Sequence, residues 1–338
     1  MTRIRLRAVV LINALILVLP LSGCWSAGTE ETLAPAQTTG DKATMDSFDT
    51  LDSIEPSLNN NTQHSQTLTI LFVSDTQPDP ENGDYTGFGE LLSQALEMHE
   101  SPDIVIFGGD TVNDGGDEAE WGEFRQIAGK WLDGLKTAAV AGNHDNYPLL
   151  SGQFDYPDKE LEGRSDGYFY TLSMGPMFFI MLDSNIMGAA NKANIEWLQS
   201  ELQSEAALLA EWNIVVMHHP MWPVTDNAKD IQRAETMREN FLPLMEESNV
   251  SLILCGHQHV YSCTLPMHGD SAAEGKQGIV QIMAASGDKA TYAVAGFGYI
   301  ASSVPAPNYL LLTVDGENLT VTAFDGEGRV IDQVAISK

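Results

Sequence analysis

The sequence predicts an α/β fold with a parallel sheet and, toward the C-terminus, a second sheet of antiparallel hairpins. Two observations support this prediction. Continuous apolar runs alternate with segments of helical period along much of the chain, as they do in parallel sheets covered by helices. Short strands then follow one another through tight Asp-Gly turns, which are typical of antiparallel hairpins.

Five apolar runs have the composition of strands that are buried on both faces. Each run is continuous rather than alternating between apolar and polar residues, which is the pattern of inner strands in a parallel sheet. The runs begin at Leu68 (LTILFV), Ile104 (IVIF), Thr137 (TAAVA), Asn213 (NIVVM) and Val250 (VSLILC). Helices are predicted between them at 88–100, 118–135, 193–210 and 231–247. This alternation predicts a sheet whose strands are connected by helices.

Further strands are predicted in the middle of the chain and near its C-terminus. They are GYFYTLS, MFFIMLD, IVQIMAA, NYLLLTV, LTVTAF and RVIDQVAI. Asp315-Gly316 and Asp325-Gly326 separate the last three, where tight turns are expected. Because the chain shows no internal repeat and no change of composition after residue 67, we expect one folded domain over residues 67–338.

The first 23 residues have the pattern of a cleaved export signal. Three arginines precede an apolar run over residues 8–20, which is too short to span a bilayer as a helix. Leu21-Ser22-Gly23-Cys24 follows and resembles the signal of bacterial lipoproteins, in which the cysteine is lipidated. An ordinary secretory signal followed by a chance cysteine is the alternative. We therefore expect a signal peptide over 1–23, a lipid anchor on Cys24, an extracytoplasmic location, and a flexible Ser/Thr/Asn-rich tether over 24–66.

The charge balance excludes one class of partner. The chain has 17 Lys and Arg against 47 Asp and Glu, which gives a formal net charge of −30. Nucleic-acid binding requires a basic surface that displaces counterions from the phosphates, so no nucleic-acid partner is expected. Anionic lipid also repels an anionic protein, and membrane attachment is therefore expected through the lipid anchor alone. No feature of the sequence indicates an oligomeric state.

Polar residues follow the ends of the five buried runs. The motifs are Asp75-Thr76-Gln77, Gly109-Asp110, Gly142-Asn143-His144-Asp145, His218-His219 and Gly256-His257-Gln258-His259. Ligands of open α/β sheets bind at the carboxyl ends of strands, so we expect the motifs to share one crevice. Oxygen and imidazole ligands without thiolates suit Zn, Fe or Mn. Taken singly, most of these motifs are also typical of turns and helix caps, whereas the two alternating histidines of the last one are more specific.

In this order, the five motifs resemble those of the calcineurin-like metallophosphoesterase superfamily, whose pattern is D-x-H, G-D-x-x, G-N-H-D/E, H and G-H-x-H. The stretches VVMHHP and GHQHVY resemble the purple acid phosphatase branch most. The resemblance covers residues 68–338. It implies two facing mixed β-sheets flanked by helices, a four-layer α/β/β/α sandwich, and hydrolysis of a phosphate monoester or diester.

The resemblance also implies a centre of two divalent metal ions, with Mn, Fe or Zn as candidates. It assigns Asp75, Gln77 and His259 to the first ion, Asn143, His218 and His257 to the second, and Asp110 as the bridge between them. His144 is then the general acid that protonates the leaving alkoxide after attack by a metal-bridged hydroxide. Asn113 occupies the place of a residue that orients the His144 imidazole, and His219 is expected at the rim of the site.

Two residues depart from the family pattern. Gln77 stands where the D-x-H motif has a histidine, and an amide binds these divalent ions more weakly than an imidazole does. Asn113 stands where purple acid phosphatases carry the tyrosine that gives their Fe(III) its colour, so a colourless divalent centre is expected. The sequence thus predicts a lipid-anchored, exported phosphoesterase that takes a small phosphate ester. A non-catalytic, surface-binding lipoprotein on the same scaffold is the alternative.

Overall fold

The polypeptide alternates between strands and helices from Leu68 onward. The computed structural model describes residues 67–81, 83–99, 101–154, 169–187, 192–273 and 278–336. All of these residues belong to one compact unit, Thr62–Lys338. The predicted signal peptide over 1–23, the lipid-anchor residue Cys24 and the predicted tether over 24–66 lie outside the described residues.

The described residues form fifteen strands and eight helices. The strands are β1 (Leu68–Val73), β2 (Ile104–Phe107), β3 (Thr137–Ala139), β4 (Tyr170–Met174), β5 (Met177–Leu182), β6 (Trp212–Met217), β7 (Val250–Cys255), β8 (Tyr261–Thr264), β9 (Met267–His268), β10 (Ser271–Ala272), β11 (Val280–Met283), β12 (Ile300–Val304), β13 (Asn308–Asp315), β14 (Asn318–Asp325) and β15 (Val330–Ile336). The helices are α1 (Thr86–Met98), α2 (Glu118–Leu132), α3 (Tyr147–Leu150), α4 (Ser184–Met187), α5 (Lys192–Leu202), α6 (Glu205–Leu209), α7 (Ala228–Asn240) and α8 (Leu242–Glu247). None of the helices in these ranges combines the length and the apolar character needed to cross a membrane.

Two mixed sheets contain most of the strands. The first has the order β15-β14-β13-β1-β2-β3 and the second the order β12-β8-β11-β7-β6-β5-β4. In the first sheet, β1, β2 and β3 are parallel, and the C-terminal hairpins join β1 through the antiparallel strand β13. In the second sheet, β5, β6, β7 and β11 are parallel, with antiparallel strands at both edges. The strands β9 and β10 pair as a separate short hairpin.

The alternation of the five buried runs with helices predicts one parallel sheet that contains them all. The structure instead divides them between the two sheets. Strands β1 to β3 lie in the first sheet, whereas β6 and β7 lie in the second. The C-terminal hairpins extend the first sheet, because the apolar strand β13 pairs with β1 from Leu68 opposite Val314 to Phe72 opposite Leu310. The architecture of two mixed sheets with helices, which the family resemblance implies, is confirmed.

Two predicted helices are each divided in two. The segment predicted at 193–210 forms α5 and α6, because the Ser204 side chain accepts a hydrogen bond from the Ala207 N–H and caps a new helix. The segment predicted at 231–247 forms α7 and α8, with the break at Phe241 and Pro243 in the first turn of α8. Helix periodicity alone did not mark either break.

Alternating residues of the strands divide the apolar core into three layers. Ile70 of β1 and Ile214 of β6 belong to the cluster between the two sheets. Leu71 faces the opposite way, into the cluster under α1 and α2, and Val215 faces the cluster under α5, α7 and α8. Packing of these three clusters holds the two sheets against each other, so that the carboxyl ends of their parallel strands lie along the same edge.

Cys255 and Cys263 are buried free thiols. They lie on β7 and β8, and β11 runs between these two strands. Two inter-strand spacings amount to about 9–10 Å, which is beyond the reach of a disulfide. Burial raises the pKa of the Cys263 thiol to about 12.

Candidate metal centre

The polar motifs meet where the carboxyl ends of the parallel strands of both sheets come together. The Asp75 N–H donates to the Gly109 carbonyl at 3.0 Å, which joins the ends of β1 and β2. The His257 N–H donates to both carboxylate oxygens of Asp75, at 3.0 and 2.8 Å, and so joins the two sheets. The Gly256 N–H donates to the His218 carbonyl at 3.0 Å. The His144 N–H donates to Asp110 Oδ1 at 2.8 Å and adds the remaining motif, so the network brings all five motifs to one edge, as their sequence positions predict.

Backbone strain is concentrated at this edge. Among the described residues, five non-glycine residues have a positive φ, and four of them belong to the motifs. They are Asp75, Asp110 and His259, each with φ 49°, and His257 with φ 76°. Left-handed backbone is unfavourable for these side chains and persists only where the surrounding structure enforces it, as it does at functional sites.

Two glycines of the motifs allow the strand ends to approach closely. A Cβ at Gly142 would lie 2.1 Å from Asp110 Oδ1, and a Cβ at Gly256 would lie 2.1 Å from Asp75 Oδ2. Any side chain at either position would therefore displace a carboxylate of the site.

Asp110, His218 and His257 offer ligand atoms that all lie within 4.8 Å of one another. His218 Nδ1 faces the Gly108 carbonyl at 2.9 Å, so Nδ1 carries the proton and Nε2 is the available lone pair. Nε2 lies 3.2 Å from Asp110 Oδ2, yet it is buried and makes no hydrogen bond of good geometry. This donor set fits a divalent cation of the Mn, Fe or Zn type.

Asp110 and His218 shift each other's pKa values in opposite directions. Burial lowers the pKa of His218, but the carboxylate of Asp110 outweighs that effect and raises it to about 9. Burial raises the pKa of Asp110, and the facing His218 more than reverses this, so the pKa ends well below its usual range. A metal ion bound here would replace the proton that the two residues share.

Asp230 fixes the orientation of His257. Its Oδ1 lies 3.1 Å from His257 Nε2, and its Oδ2 accepts a hydrogen bond from Gln258 Nε2 at 2.9 Å. A carboxylate is an acceptor, so His257 Nε2 carries the proton and Nδ1 is left as the ligand atom. Asn143, the fourth residue assigned to this half of the centre, is exposed on the loop after β3.

The other half of the centre contains Asp75, Gln77 and His259, all buried. Asp75 accepts hydrogen bonds from the His257 N–H and from Ser74 Oγ at 2.8 Å, and His259 Nε2 lies 3.3 Å from its Oδ1. Burial raises the pKa of Asp75 to about 7. Burial, followed by the charge of Lys289, lowers the pKa of His259 to about 3.

Gln77 does not present a free oxygen to this half. Its amide is satisfied when the nitrogen donates to the Asp110 carbonyl at 2.7 Å and the oxygen accepts from Lys289 Nζ. Lys289 Nζ also lies 3.5 Å from His144 Nε2. This half therefore fits a divalent ion less well than the Asp110, His218 and His257 cluster does.

His144 stands at the mouth of the centre, with its side chain 36% exposed. Its Nδ1 lies 2.7 Å from the Asn113 main-chain carbonyl, so Nδ1 is the proton-bearing atom and Nε2 faces the centre. Nε2 lies 4.0 Å from Asp110 Oδ2. The Asn113 side chain, expected to orient the imidazole, donates instead to the Pro78 carbonyl at 3.1 Å. Asn113 thus contacts His144 through its main chain, which any residue type provides.

His219 does not line the rim, contrary to expectation. It is only 2% exposed, and its Nδ1 lies 2.9 Å from Ser184 Oγ. Burial and the neighbouring His218 and His257 hold its pKa well below the usual range. Its ring packs 4.3 Å from that of His257, so it supports the ligand from behind.

Sequence reasoning missed Asp230, Lys289 and Tyr292, and it placed Asp145 in the third motif without giving it a role. Asp145 accepts from the Thr111 and Gly142 N–H groups at 3.0 and 2.9 Å and braces two motif loops. The Tyr292 ring stacks on His259 at 4.9 Å. One signal was available for Lys289, because IVQIMAA is an apolar run that ends in polar residues as the other five do.

The chain is similar to known phosphoesterases in sequence and in fold. Residues 68–261 match the family model of the calcineurin-like phosphoesterase. The chain is 29% identical to a probable glycerophosphodiester phosphodiesterase GpdQ of Arcobacter nitrofigilis, over 48% of this chain and 59% of that protein. It is 25% identical to purple acid phosphatase 23 of Arabidopsis thaliana, over 42% of this chain and 31% of that protein. The match thus spans less than two thirds of the length of either relative.

A solved structure shows the same fold. The purple acid phosphatase PPD1 from yellow lupin (Lupinus luteus) seeds aligns with a TM-score of 0.69 at 18% identity, over 81% of this chain and 54% of that chain. The family match includes all five strand-end motifs and covers more than half of the sequence. This chain belongs to the family of calcineurin-like phosphoesterases.

Proposed function

We propose that this protein is an exported, lipid-anchored hydrolase of phosphate esters that depends on a divalent metal ion. The observation that carries the proposal is the cluster of Asp110, His218 and His257, whose ligand atoms converge at the strand ends next to His144. The family to which the chain belongs supports the reaction class. The substrate expected is a small phosphate ester, because the net charge of −30 disfavours polyanions.

Asp110, Asn143, His218 and His257 are the residues that we propose as ligands of a Mn, Fe or Zn ion. When bound, the ion supplies Lewis acidity toward a phosphoryl oxygen and lowers the pKa of a water to near neutrality. Asp230 holds His257 in the tautomer that ligation needs, 3.1 Å from its Nε2. Asp145 and His219 keep the motif loops and the ligand ring in place. In the other half of the centre, the first ion that the resemblance implies would lie beside the ammonium of Lys289.

His144 is the residue that we propose as the general acid. Its Nδ1–H donates to the Asn113 carbonyl at 2.7 Å, which directs Nε2 toward the centre. In the imidazolium form of His144, Nε2 carries the second proton and delivers it, which leaves the neutral ring protonated on Nδ1. The proton goes to the alkoxide oxygen of the leaving group as its bond to phosphorus breaks.

Monoester and diester substrates are both compatible with this site. The Arabidopsis relative is a purple acid phosphatase, and the Arcobacter relative is a probable glycerophosphodiester phosphodiesterase. The test is turnover of p-nitrophenyl phosphate against bis(p-nitrophenyl) phosphate by the full chain loaded with Mn or Zn, with an EDTA-treated sample as control. Release of p-nitrophenolate from either ester supports the proposal. No release from either ester by a metal-loaded chain would favour the alternative of a non-catalytic, surface-binding lipoprotein.

A further inference from the structure

Lys289 brings a cation into the half of the centre that contains Asp75, Gln77 and His259. Its Nζ contacts the Gln77 amide oxygen and lies 3.5 Å from His144 Nε2. Lys289 is half-buried. It is therefore a fixed positive charge directed at the centre and not a freely solvated surface lysine.

The backbone before Lys289 is fastened to the end of β1. The Ser286 N–H donates to the Ser74 carbonyl at 2.7 Å, and the Gly287 N–H donates to the Asp75 carbonyl at 2.9 Å. A Cβ at Gly287 would lie 2.3 Å from the Gln77 carbonyl, so only glycine permits this approach. These contacts hold the loop after β11 against the Asp75 motif, and the Lys289 side chain enters the centre from there.

The two halves of the centre differ in the charge that an incoming cation would meet. Each half has a buried imidazole nitrogen without a hydrogen-bond partner, His259 Nδ1 in the Asp75 half and His218 Nε2 in the other. In the Asp75 half, however, the Gln77 oxygen already accepts from Lys289. A divalent ion there would have to displace that contact and face an ammonium, whereas an ion at His218 would not.

We propose that the Lys289 ammonium takes the place of the first metal ion, so that the centre combines one divalent ion with one built-in lysine cation. This inference rests on the proposed function for its catalytic meaning. In it, Lys289 is a catalytic residue that places a positive charge beside a phosphoryl oxygen, in addition to the charge of the metal ion. A lysine cation cannot activate water as a metal ion does, so both activation of the nucleophile and ligation fall to the Asp110, His218 and His257 half.

The test counts the metal ions bound by the full chain and by three variants. Bound metal is removed from each protein with EDTA, and the protein is then titrated with Mn or Zn in a calorimeter. The metal content after dialysis is measured by elemental mass spectrometry. Wild type and Lys289→Arg, which keeps the charge, should bind one ion per chain. Lys289→Met, which keeps the length and loses the charge, should bind a second ion. Lys192→Met, at a lysine that is 87% exposed on α5, serves as the matched control and should bind one ion.

Two results would overturn the inference, namely two ions in the wild-type chain or a single ion in a folded Lys289→Met chain. The wild-type count does not depend on any variant folding, and circular dichroism checks the fold of the variants. Turnover of p-nitrophenyl phosphate and its bis ester is measured on the same samples. Two ions with turnover would contradict the lysine inference and leave the proposed function intact. One ion without turnover of either ester would contradict the proposed function and leave the metal count in place.

Discussion

Asp230 Oδ1 lies 3.1 Å from His257 Nε2, although Asp230 belongs to the first turn of α7 and His257 follows β7. The side chains of both residues are largely buried, with 16% and 17% exposure. Burial by itself raises the pKa of Asp230, but the hydrogen bond from His257 and the charge of that ring outweigh burial and lower the pKa. The carboxylate therefore remains ionised and sets which nitrogen of His257 can bind a metal ion.

Asp230→Ala should weaken metal binding. Loss of the carboxylate leaves the His257 ring free to rotate and to change tautomer, and losses of roughly 10–100-fold in metal affinity are typical of such changes. Calorimetric titration with Zn would measure the effect. Glu235→Ala, on the exposed face of the same helix, is the control and should bind as the wild type does. Equal affinity for the Asp230→Ala and wild-type chains would show that Asp230 does not orient the ligand.

Asp110→Ala should abolish metal binding and turnover together. Asp110 faces His218 at 3.2 Å and accepts from the His144 N–H at 2.8 Å, so the variant loses a ligand and a loop contact at once. The measurement is metal content after dialysis, with turnover on the same sample. Retention of stoichiometric metal by this variant would exclude Asp110 as a ligand.

His144→Ala should keep the metal ion and lower kcat by roughly 10²–10⁴, the usual contribution of a positioned acid. The loss should be smaller for p-nitrophenyl esters than for alkyl esters, because p-nitrophenolate leaves without protonation. Kinetics with both substrate types would measure it, with His268→Ala as control, since His268 is 72% exposed on β9. An equal loss for alkyl and aryl esters would argue against His144 as the acid.

The motifs could be predicted as one site because each directly follows a buried strand, and parallel strands bring their ends to one edge. The division of the strands between two sheets could not be predicted, because β6 resembles β1 in composition and only their long-range pairing differs. The contact between Lys289 and His144 could not be predicted either, because these residues are 145 positions apart in the sequence and meet only in the folded chain. The role of Asn113 depends on its main chain, which leaves no trace in residue type.

Cys24→Ser should release the protein from membranes or leave it unprocessed. The expectation comes from Leu21-Ser22-Gly23-Cys24 directly after a short apolar run, and a serine cannot take the thioether-linked lipid. Membrane fractionation and mass spectrometry of the mature N-terminus measure the outcome. An unmodified N-terminus in the wild type, with unchanged fractionation of the variant, would contradict the anchor.

The metal-free chain should lose stability as the pH rises from about 7 to about 8.5. Burial raises the pKa values of Asp75 and Asp145 to about 7, above the value of about 3.9 for an unfolded aspartate. These two carboxyl groups therefore hold more protons in the folded chain than in the unfolded chain, and their contribution to the free energy of unfolding falls with rising pH. His218, with a pKa raised to about 9, acts in the same direction up to that pH. The lowered pKa of Asp110 contributes nothing in this window, because that group is ionised in both states above about pH 5.

Three buried histidines set the lower end of this pH window. Burial lowers the pKa values of His219, His257 and His259, so each binds more protons in the unfolded chain, and their contribution to the free energy of unfolding rises with pH up to about 7. Above that pH an unfolded histidine, with a pKa of about 6.5, is mostly neutral, and this opposing contribution ends.

Calorimetry of the EDTA-treated full chain at three pH values between about 7 and 8.5 should therefore show a falling Tm. Asp145→Asn removes one of the titrating groups without removing a ligand, and its Tm should fall less steeply than that of the wild type. Saturating Zn should flatten or reverse the trend, because a bound ion stabilises the ionised carboxylates and the neutral imidazole. A Tm that rises with pH in the metal-free chain would mean that Asp75 and Asp145 stay ionised when the protein folds. The carboxylates of the centre would then be solvated in the folded chain and not desolvated by burial.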